Sequence, residues 1–513
     1  MTAGLLLVTL SAGFTGAAGQ SPFNHVNSDE SQSPFSHVSS ADMDSIFFAY
    51  DNPDTPGCAV GVTHFGEPLF TKGYGIANLD HGIPIRPDSR FMVASVSKQV
   101  AAAALLMLEQ QGLLDLDHDL RELLPELPGS DRPITARQLM HHTSGLRDIY
   151  QLLALADTGL DNTTTPDKAL DMIRRQHRFN ADPGDEYGYN NTGYELIAVL
   201  VERLTGMSLD AYSRKHFFDP IGMTSTHWHD DTGKVVPNRV ISYRPRSFGP
   251  GRFYRDNMDR VGPRGLFTTI EDFIRWEANF VENRSNLDRF AEKMTRPGST
   301  RNRNSIAYAS GLRLERYKTL RTVGHAGSYM GFRTQYTRFP ETGLAIMVFC
   351  NQSDINPAVY SRQIADLFLR DTFAGRFAAY PGRYVNKHLG TGFDVVLKEG
   401  DLYLERIPQV PGFDGSGGMG PEGAPRGDDI GNQEDASGRY IIRDSRGIAD
   451  REDFVIDRVP AFFERESRRM IWRSNDRFRV DDWDLRFERG GDSIRRMNLQ
   501  APGTGEIVFE VEQ

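Results

Sequence analysis

Phe91-Met92-Val93-Ala94 is short and apolar, and Gln99-Val100-Ala101-Ala102-Ala103-Ala104-Leu105-Leu106-Met107-Leu108 is strongly helix-forming; Ser95-Val96-Ser97-Lys98 stands at the junction. A helix that starts at Ser95 carries Lys98 three residues on, on the same face and within reach of the hydroxyl. Ser97 adjoins the lysine but points elsewhere. If the helix is buried, desolvation disfavours the charged amine and makes Lys98 a better base for Ser95. The spacing also occurs on solvated helical faces, so it needs support from the rest of the chain.

Two later segments give that support. Pro183-Gly184-Asp185-Glu186-Tyr187-Gly188-Tyr189-Asn190-Asn191-Thr192-Gly193-Tyr194 is a polar turn feeding the apolar helix Glu195–Val201, and it contains a Tyr-x-Asn at Tyr189-Asn190-Asn191. Gly324-His325-Ala326-Gly327-Ser328 precedes an expected strand, with Gly327 free to let backbone approach a ligand closely. The order Ser-x-x-Lys, Tyr-x-Asn, His-x-Gly resembles the serine hydrolases related to penicillin-binding proteins and class C β-lactamases, a group that includes esterases and D-aminopeptidases. The resemblance runs from about Ala41 to Thr372. It takes in Pro56-Gly57-Cys58-Ala59-Val60-Gly61-Val62, Leu139-Met140-His141-His142-Thr143-Ser144-Gly145-Leu146, Phe218-Asp219-Pro220-Ile221-Gly222-Met223 and Gly265-Leu266-Phe267-Thr268-Thr269-Ile270-Glu271-Asp272.

The resemblance implies an α+β fold for residues 41–372: an antiparallel sheet flanked by helices, plus an all-helical subdomain supplying Tyr189. It implies an acyl-enzyme on Ser95, with Lys98 and Tyr189 sharing the base and acid roles in an order the sequence leaves open. Asn191 would position substrate or Lys98. The N–H groups of Ser95 and Ser328 would form the oxyanion hole, with His325 and Gly327 on the substrate-binding strand. His325 stands where penicillin-recognising relatives carry the lysine of Lys-Thr-Gly. A histidine near neutral pH is mostly uncharged, which weakens recognition of a β-lactam carboxylate and leaves room for esters, amides or peptides. The alternative for His325 is a structural side chain bonded to backbone. Peptide or amide hydrolysis, with short peptides bearing D-residues as candidate substrates, is the preferred expectation, with esterase, β-lactamase and non-turnover penicillin or peptidoglycan sensor as rivals. No metal or organic cofactor is expected, and the partner is a small peptide, amide or ester substrate.

The remaining chain sets the context. With 513 residues and 39% hydrophobic content there is material for a large core and a second domain. A net charge of −10 with no basic cluster argues against nucleic acid or anionic membranes. Residues 1–19, with Gly4-Leu5-Leu6-Leu7-Val8-Thr9-Leu10 and Gly16-Ala17-Ala18-Gly19, look like a secretory signal without the usual basic start. A secreted or periplasmic protein is therefore expected, or a cytoplasmic one if that segment is no signal. Apolar runs reach nowhere near the roughly 20 residues of a membrane span. A disordered leader is expected over 20–40, where Gln20-Ser21-Pro22-Phe23-Asn24-His25-Val26 is echoed by Gln32-Ser33-Pro34-Phe35-Ser36-His37-Val38.

Cys58 and Cys350 fall in strands that the family places side by side, so they are either a disulfide or two buried thiols. From 376 to 513 the pattern changes to short alternating strands such as Gly392–Lys398, Asp401–Arg406 and Trp483–Glu488. This predicts an all-β, barrel-like domain similar to the lipocalin-like domain of several relatives, filled by its own side chains or by a ligand. Residues 411–438, glycine-rich and acidic, interrupt it as an expected flexible loop, with a possible docking role toward a substrate ammonium. His227-Trp228-His229-Asp230 lacks a third ligand at metal spacing. Ile149–Phe179 falls where relatives place a lid, its Leu152, Leu153 and Leu155 lining substrate or packing as core.

Overall fold

The computed structural model describes residues 35–156, 164–245, 252–386, 391–398, 400–407, 440–441, 455–456, 467–474, 477–480, 483–490, 493–500 and 506–511. The signal segment 1–19, the leader up to residue 34 and the acidic loop 411–438 lie outside the described residues. The chain divides into two compact units, Met1–Glu315 with Thr322–Ile364 and Arg316–Arg321 with Ala365–Gln513.

The first unit is framed by a six-stranded sheet of β1 (Cys58–His64), β2 (Glu67–Tyr74), β3 (Arg313–Tyr317), β4 (Leu320–Tyr329), β5 (Phe332–Phe339) and β6 (Leu344–Cys350). The order is β2-β1-β6-β5-β4-β3, so the first and last strands of the unit are central neighbours. All seven residues of β6 and six of β1 are buried, which is why both read as unbroken apolar runs rather than alternating ones. Four helices matter for the site: α1 (Ser40–Phe47), α2 (Lys98–Gln110), α3 (Asn191–Thr205) and α4 (Ile270–Glu282). Helix α4 packs on β1 and β6, and α2 packs against α3. From Lys98 to Leu108 every residue of α2 is buried, so its propensity for helix is backed by apolar packing all round.

Residues 35–40, assigned to the leader from the sequence, are among the described residues. Ser39 caps α1 in a reciprocal bond pair with Asp42, Phe47 stacks on Tyr74 at 4.7 Å, and Phe35 meets His64 edge-on at 4.9 Å. The His-x-Gly segment does not precede a strand; it lies inside β4, where Gly327 pairs with Thr334 and Ser328 with Arg333 of β5.

Cys58 and Cys350 are direct partners across the β1–β6 ladder and form a disulfide, the first of the two alternatives the resemblance left open. The bridge spans 292 residues and both cysteines are fully buried. Removing so long a closure relaxes the unfolded chain far more than the folded one. The double variant Cys58→Ala/Cys350→Ala is expected to lose about 2–5 kcal/mol of stability. Denaturant unfolding of both proteins checks this; an unchanged midpoint would refute it.

In the second unit, nine antiparallel strands are joined among the described residues: β7 (Gly382–Asn386), β8 (Thr391–Lys398), β9 (Asp401–Ile407), β10 (Ser467–Arg469), β11 (Ile471–Ser474), β12 (Arg477–Val480), β13 (Trp483–Gly490), β14 (Ser493–Gln500) and β15 (Glu506–Val511). Their order is β10-β9-β8-β7-β15-β14-β13-β12-β11. The two edge strands, β10 and β11, are consecutive in the chain and separated by Met470 alone, so the sheet has to curl until its edges meet. Alternation decides what faces in: Leu402 and Leu404, or Trp483, Leu485 and Phe487, are buried while their neighbours are not. Phe393–Phe509 and Phe478–Phe487 edge contacts, at 5.3 and 5.5 Å, help fill the interior.

Candidate active site

Ser95 sits in a 3-10 turn, Ala94–Ser97, that runs directly into α2, rather than in the α-helix proper. Ala94, just before it, is held at φ 50°, a left-handed conformation that an L-residue keeps only when its surroundings enforce it. Those surroundings are explicit: Val93 N–H donates to Leu266 O at 3.0 Å, and Thr334 Oγ1 on β5 donates to Val93 O at 2.9 Å. Ser95 is partly exposed, whereas Lys98 is wholly buried.

Lys98 Nζ has three oxygen neighbours: Ser95 Oγ at 3.2 Å, Asn191 Oδ1 at 2.9 Å and the Pro263 carbonyl at 2.9 Å. The last two can only accept. A neutral amine has two N–H bonds and one lone pair, so with both hydrogens engaged there the lone pair is left for the Ser95 hydroxyl. Burial pulls Lys98 down to about 7, against the upward pull of the Asp148 and Glu195 carboxylates; Arg313 adds a smaller downward pull. The amine is thus readily neutral near physiological pH.

Each acceptor has its own support. Asn190 caps α3, its Oδ1 accepting from Gly193 N at 3.0 Å and its Nδ2 donating to Leu146 O at 2.6 Å. That cap leaves Asn191 as the first helical residue, with its side chain facing Lys98. Pro263 is flanked by two buried ion pairs, Arg260–Glu195 and Arg264–Asp256, each at 2.8 Å. They fix the segment whose carbonyl faces the amine.

Tyr189 lies just before that cap, its ring centroid 4.9 Å from Lys98 Nζ. Burial pushes its phenol up to about 12, against the opposing pull of a hydrogen bond with Ser95 and of the Arg313 cation. The His142 ring packs on Tyr189 at 4.4 Å, and its Nδ1 accepts from Asn190 N at 3.1 Å. His142 therefore anchors the backbone beside Tyr189. The structure thus gathers Ser95, Lys98, Tyr189 and Asn191 from two segments 93 or so residues apart in the chain.

On β4, His325 takes the structural alternative. It is 2% exposed, with Nδ1 at 2.6 Å from its neighbour Ala326 O and Nε2 at 3.1 Å from Tyr308 Oη. A carbonyl only accepts, so Nδ1 carries the proton and Nε2 accepts from the tyrosine. Burial, with Lys98 nearby, drives its pKa down to about 3, so the ring stays neutral and internally bonded. Substrate contact through this ring, as expected from the resemblance, is not what the geometry offers. Ser328 is exposed on the same strand, and Gly327 is buried.

Three contributors carried no legible signal in the sequence: Asp148, the Pro263 carbonyl and Arg313. Asp148 Oδ2 accepts from Asn191 N at 2.6 Å and from Asn191 Nδ2 at 2.9 Å. Arg313, at the start of β3, lies with its guanidinium carbon 5.7 Å from the Tyr189 ring centroid. Elsewhere, His227 and His229 come within 5.7 Å ring to ring, and no group of three metal-ligating side chains occurs among the described residues. Of the leucines in the segment expected to form a lid, Leu153 is core, whereas Leu155 is 84% exposed.

The Beta-lactamase family profile matches residues 43–369, more than half of the chain, and the chain belongs to that family. It is 28% identical over 298 residues to a D-aminopeptidase of Gluconobacter oxydans, covering 58% of this chain and 56% of that protein. It is 27% identical to a D-aminopeptidase of Brucella ovis, covering 64% and 62%. The chain thus spans little more than half the length of these curated relatives. Among solved structures, the octameric penicillin-binding protein homologue from Pyrococcus abyssi shares the fold with a TM-score of 0.58 at 17% identity, over 92% of this chain and all of that one. D-amino acid amidase from Ochrobactrum anthropi SV3 aligns with a TM-score of 0.53 at 24% identity, over 66% and 99%.

Proposed function

We propose that the protein is a serine hydrolase that cleaves amide bonds of small substrates bearing D-residues, through an acyl-enzyme on Ser95. The observation that carries this reading is the coordination of Lys98: two pure acceptors hold its hydrogens and the remaining direction faces Ser95 Oγ. Ser95 Oγ attacks the acyl carbon while its proton passes to Lys98 Nζ. The oxyanion is stabilised by the N–H groups of Ser95 and Ser328. Collapse of the tetrahedral adduct breaks the C–N bond, and Tyr189 gives its phenolic proton to the departing amine, then recovers one from Lys98. Water repeats the sequence on the ester and releases the acid.

The D-aminopeptidase names of the curated relatives support the amide and D-residue elements of the reading. The neutral, internally bonded His325 supplies no cation for a β-lactam carboxylate, which disfavours a β-lactamase. The buried Cys58–Cys350 bridge supports export to an oxidising compartment.

D- and L-amino-acid p-nitroanilides, p-nitrophenyl esters and nitrocefin, offered in parallel, test the reading. Turnover is expected to favour the D-anilides, and Ser95→Ala is expected to lower it by roughly 10³-fold or more. Wild-type rates in Ser95→Ala, or stable labelling of Ser95 without turnover of any substrate, would refute it.

A further inference from the structure

Asp148 is 8% exposed and makes four bonds, all from N–H groups. Its Oδ1 accepts from Tyr150 N at 2.9 Å and Gln151 N at 3.3 Å, capping the helix Ile149–Leu155. Its Oδ2 accepts from the main chain and from the side-chain amide of Asn191. The second set has a chemical consequence. An amide side chain can turn over, presenting nitrogen where oxygen was. With Nδ2 tied to a carboxylate, Oδ1 has to face Lys98; a turned amide would set a donor against the amine at one end and an acceptor against the carboxylate at the other.

We infer that Asp148 is a positioning residue for acylation: by locking the Asn191 amide it keeps an acceptor on Lys98 Nζ and leaves the amine's lone pair directed at Ser95. The inference rests on the hydrolase reading and adds to it a residue that touches neither substrate nor nucleophile. The same carboxylate starts the helix Ile149–Leu155, so that helix and the orientation of the base share one anchor. Asp148 also acts on Lys98 through its charge. The groups facing the amine are the Asp148 and Glu195 carboxylates, the Arg313 cation, the neutral His142 and His325 rings and the Tyr189 and Tyr194 phenols. Of these, the two carboxylates favour the ammonium.

A double-mutant cycle on the full chain separates positioning from mere stability, with the second-order rate of Ser95 acylation by a p-nitrophenyl ester as the readout. Asp148→Ala is expected to lower that rate at least about tenfold at pH 8. Asn191→Ala should lower it as well, and the double variant no further than Asn191→Ala alone, within about twofold. Asp148→Asn keeps an oxygen acceptor and is expected to restore part of the rate. Having lost the charge that favours the ammonium, it should also carry the acid limb of the pH profile to lower pH. Thr165→Ala removes the cap of the neighbouring helix Pro166–Arg174 and serves as a control that costs stability without moving either readout. Additive losses in the double variant, an unmoved acid limb in Asp148→Asn, or a wild-type rate in Asp148→Ala would overturn the inference. Activity that survives Ser95→Ala would instead overturn the hydrolase reading itself.

Discussion

Lys98→Met is expected to lower kcat/KM by about 10³-fold or more while leaving the fold intact, because in the proposed mechanism it removes the amine that takes the Ser95 proton. In the unmutated protein, kcat/KM should climb through about pH 7 as Lys98 loses its proton, since only the neutral amine has a lone pair to offer. A profile flat between pH 5.5 and 8.5 would refute this role. Stability should report the same titration. The unfolded lysine titrates near 10.5 and the folded one near 7, so between those values the unfolded chain binds the extra proton. Stability then rises with pH across that window, and the cost of burying Lys98 is greatest below pH 7 and is relieved toward pH 10.5. Relative to Lys98→Met, the parent protein should therefore gain on the order of 1 kcal/mol per pH unit between pH 7 and 9. Parallel denaturant unfolding at the two pH values measures it, and equal slopes would count against a neutral folded amine.

Gly327→Ala is the second substitution with a large expected effect. A Cβ there would stand 2.1 Å from Thr334 Oγ1, 2.5 Å from Val93 O and 3.1 Å from Ala94 Cβ. Val93 and Ala94 are the residues that present Ser95, and the Val93 oxygen is backbone that cannot swing aside. The added methyl group therefore has to push β4 and the Ser95 turn apart. Losses of about 1–3 kcal/mol in stability and about 10²-fold in kcat/KM are expected. Gly375, which has nothing within 4 Å of its would-be Cβ, is the matched control, and Gly375→Ala should be neutral. Unchanged kcat/KM in Gly327→Ala would show that the close approach of the two segments is unimportant.

This second case shows what a sequence makes legible. The glycine of His-x-Gly suggested close backbone approach to a ligand; the approach the structure shows is to the turn carrying Ser95. Ser95, Lys98, Tyr189 and Asn191 were recoverable because each sits in a short motif whose chemistry is written in its own side chains. Asp148 was not, since its meaning depends on a bond to an amide 43 residues away. The Pro263 carbonyl is a main-chain atom and carries no residue signature at all. His325 misled because position in a motif says where a ring is, whereas its two hydrogen bonds decide which way it serves. Strand placement in the C-terminal unit followed from period-two alternation. Its barrel-like curl was expected from the resemblance to a lipocalin-like domain, and the order in which the strands pair is invisible to alternation.

The pairing of Cys58 with Cys350 has a further consequence. A peptide-bond cut at any surface loop between them leaves two fragments still covalently tied, with the nucleophile-bearing turn and the β4 strand on a common tether. Nicking in a protease-rich setting would then go unseen by size until a reductant is added, and could leave catalysis running.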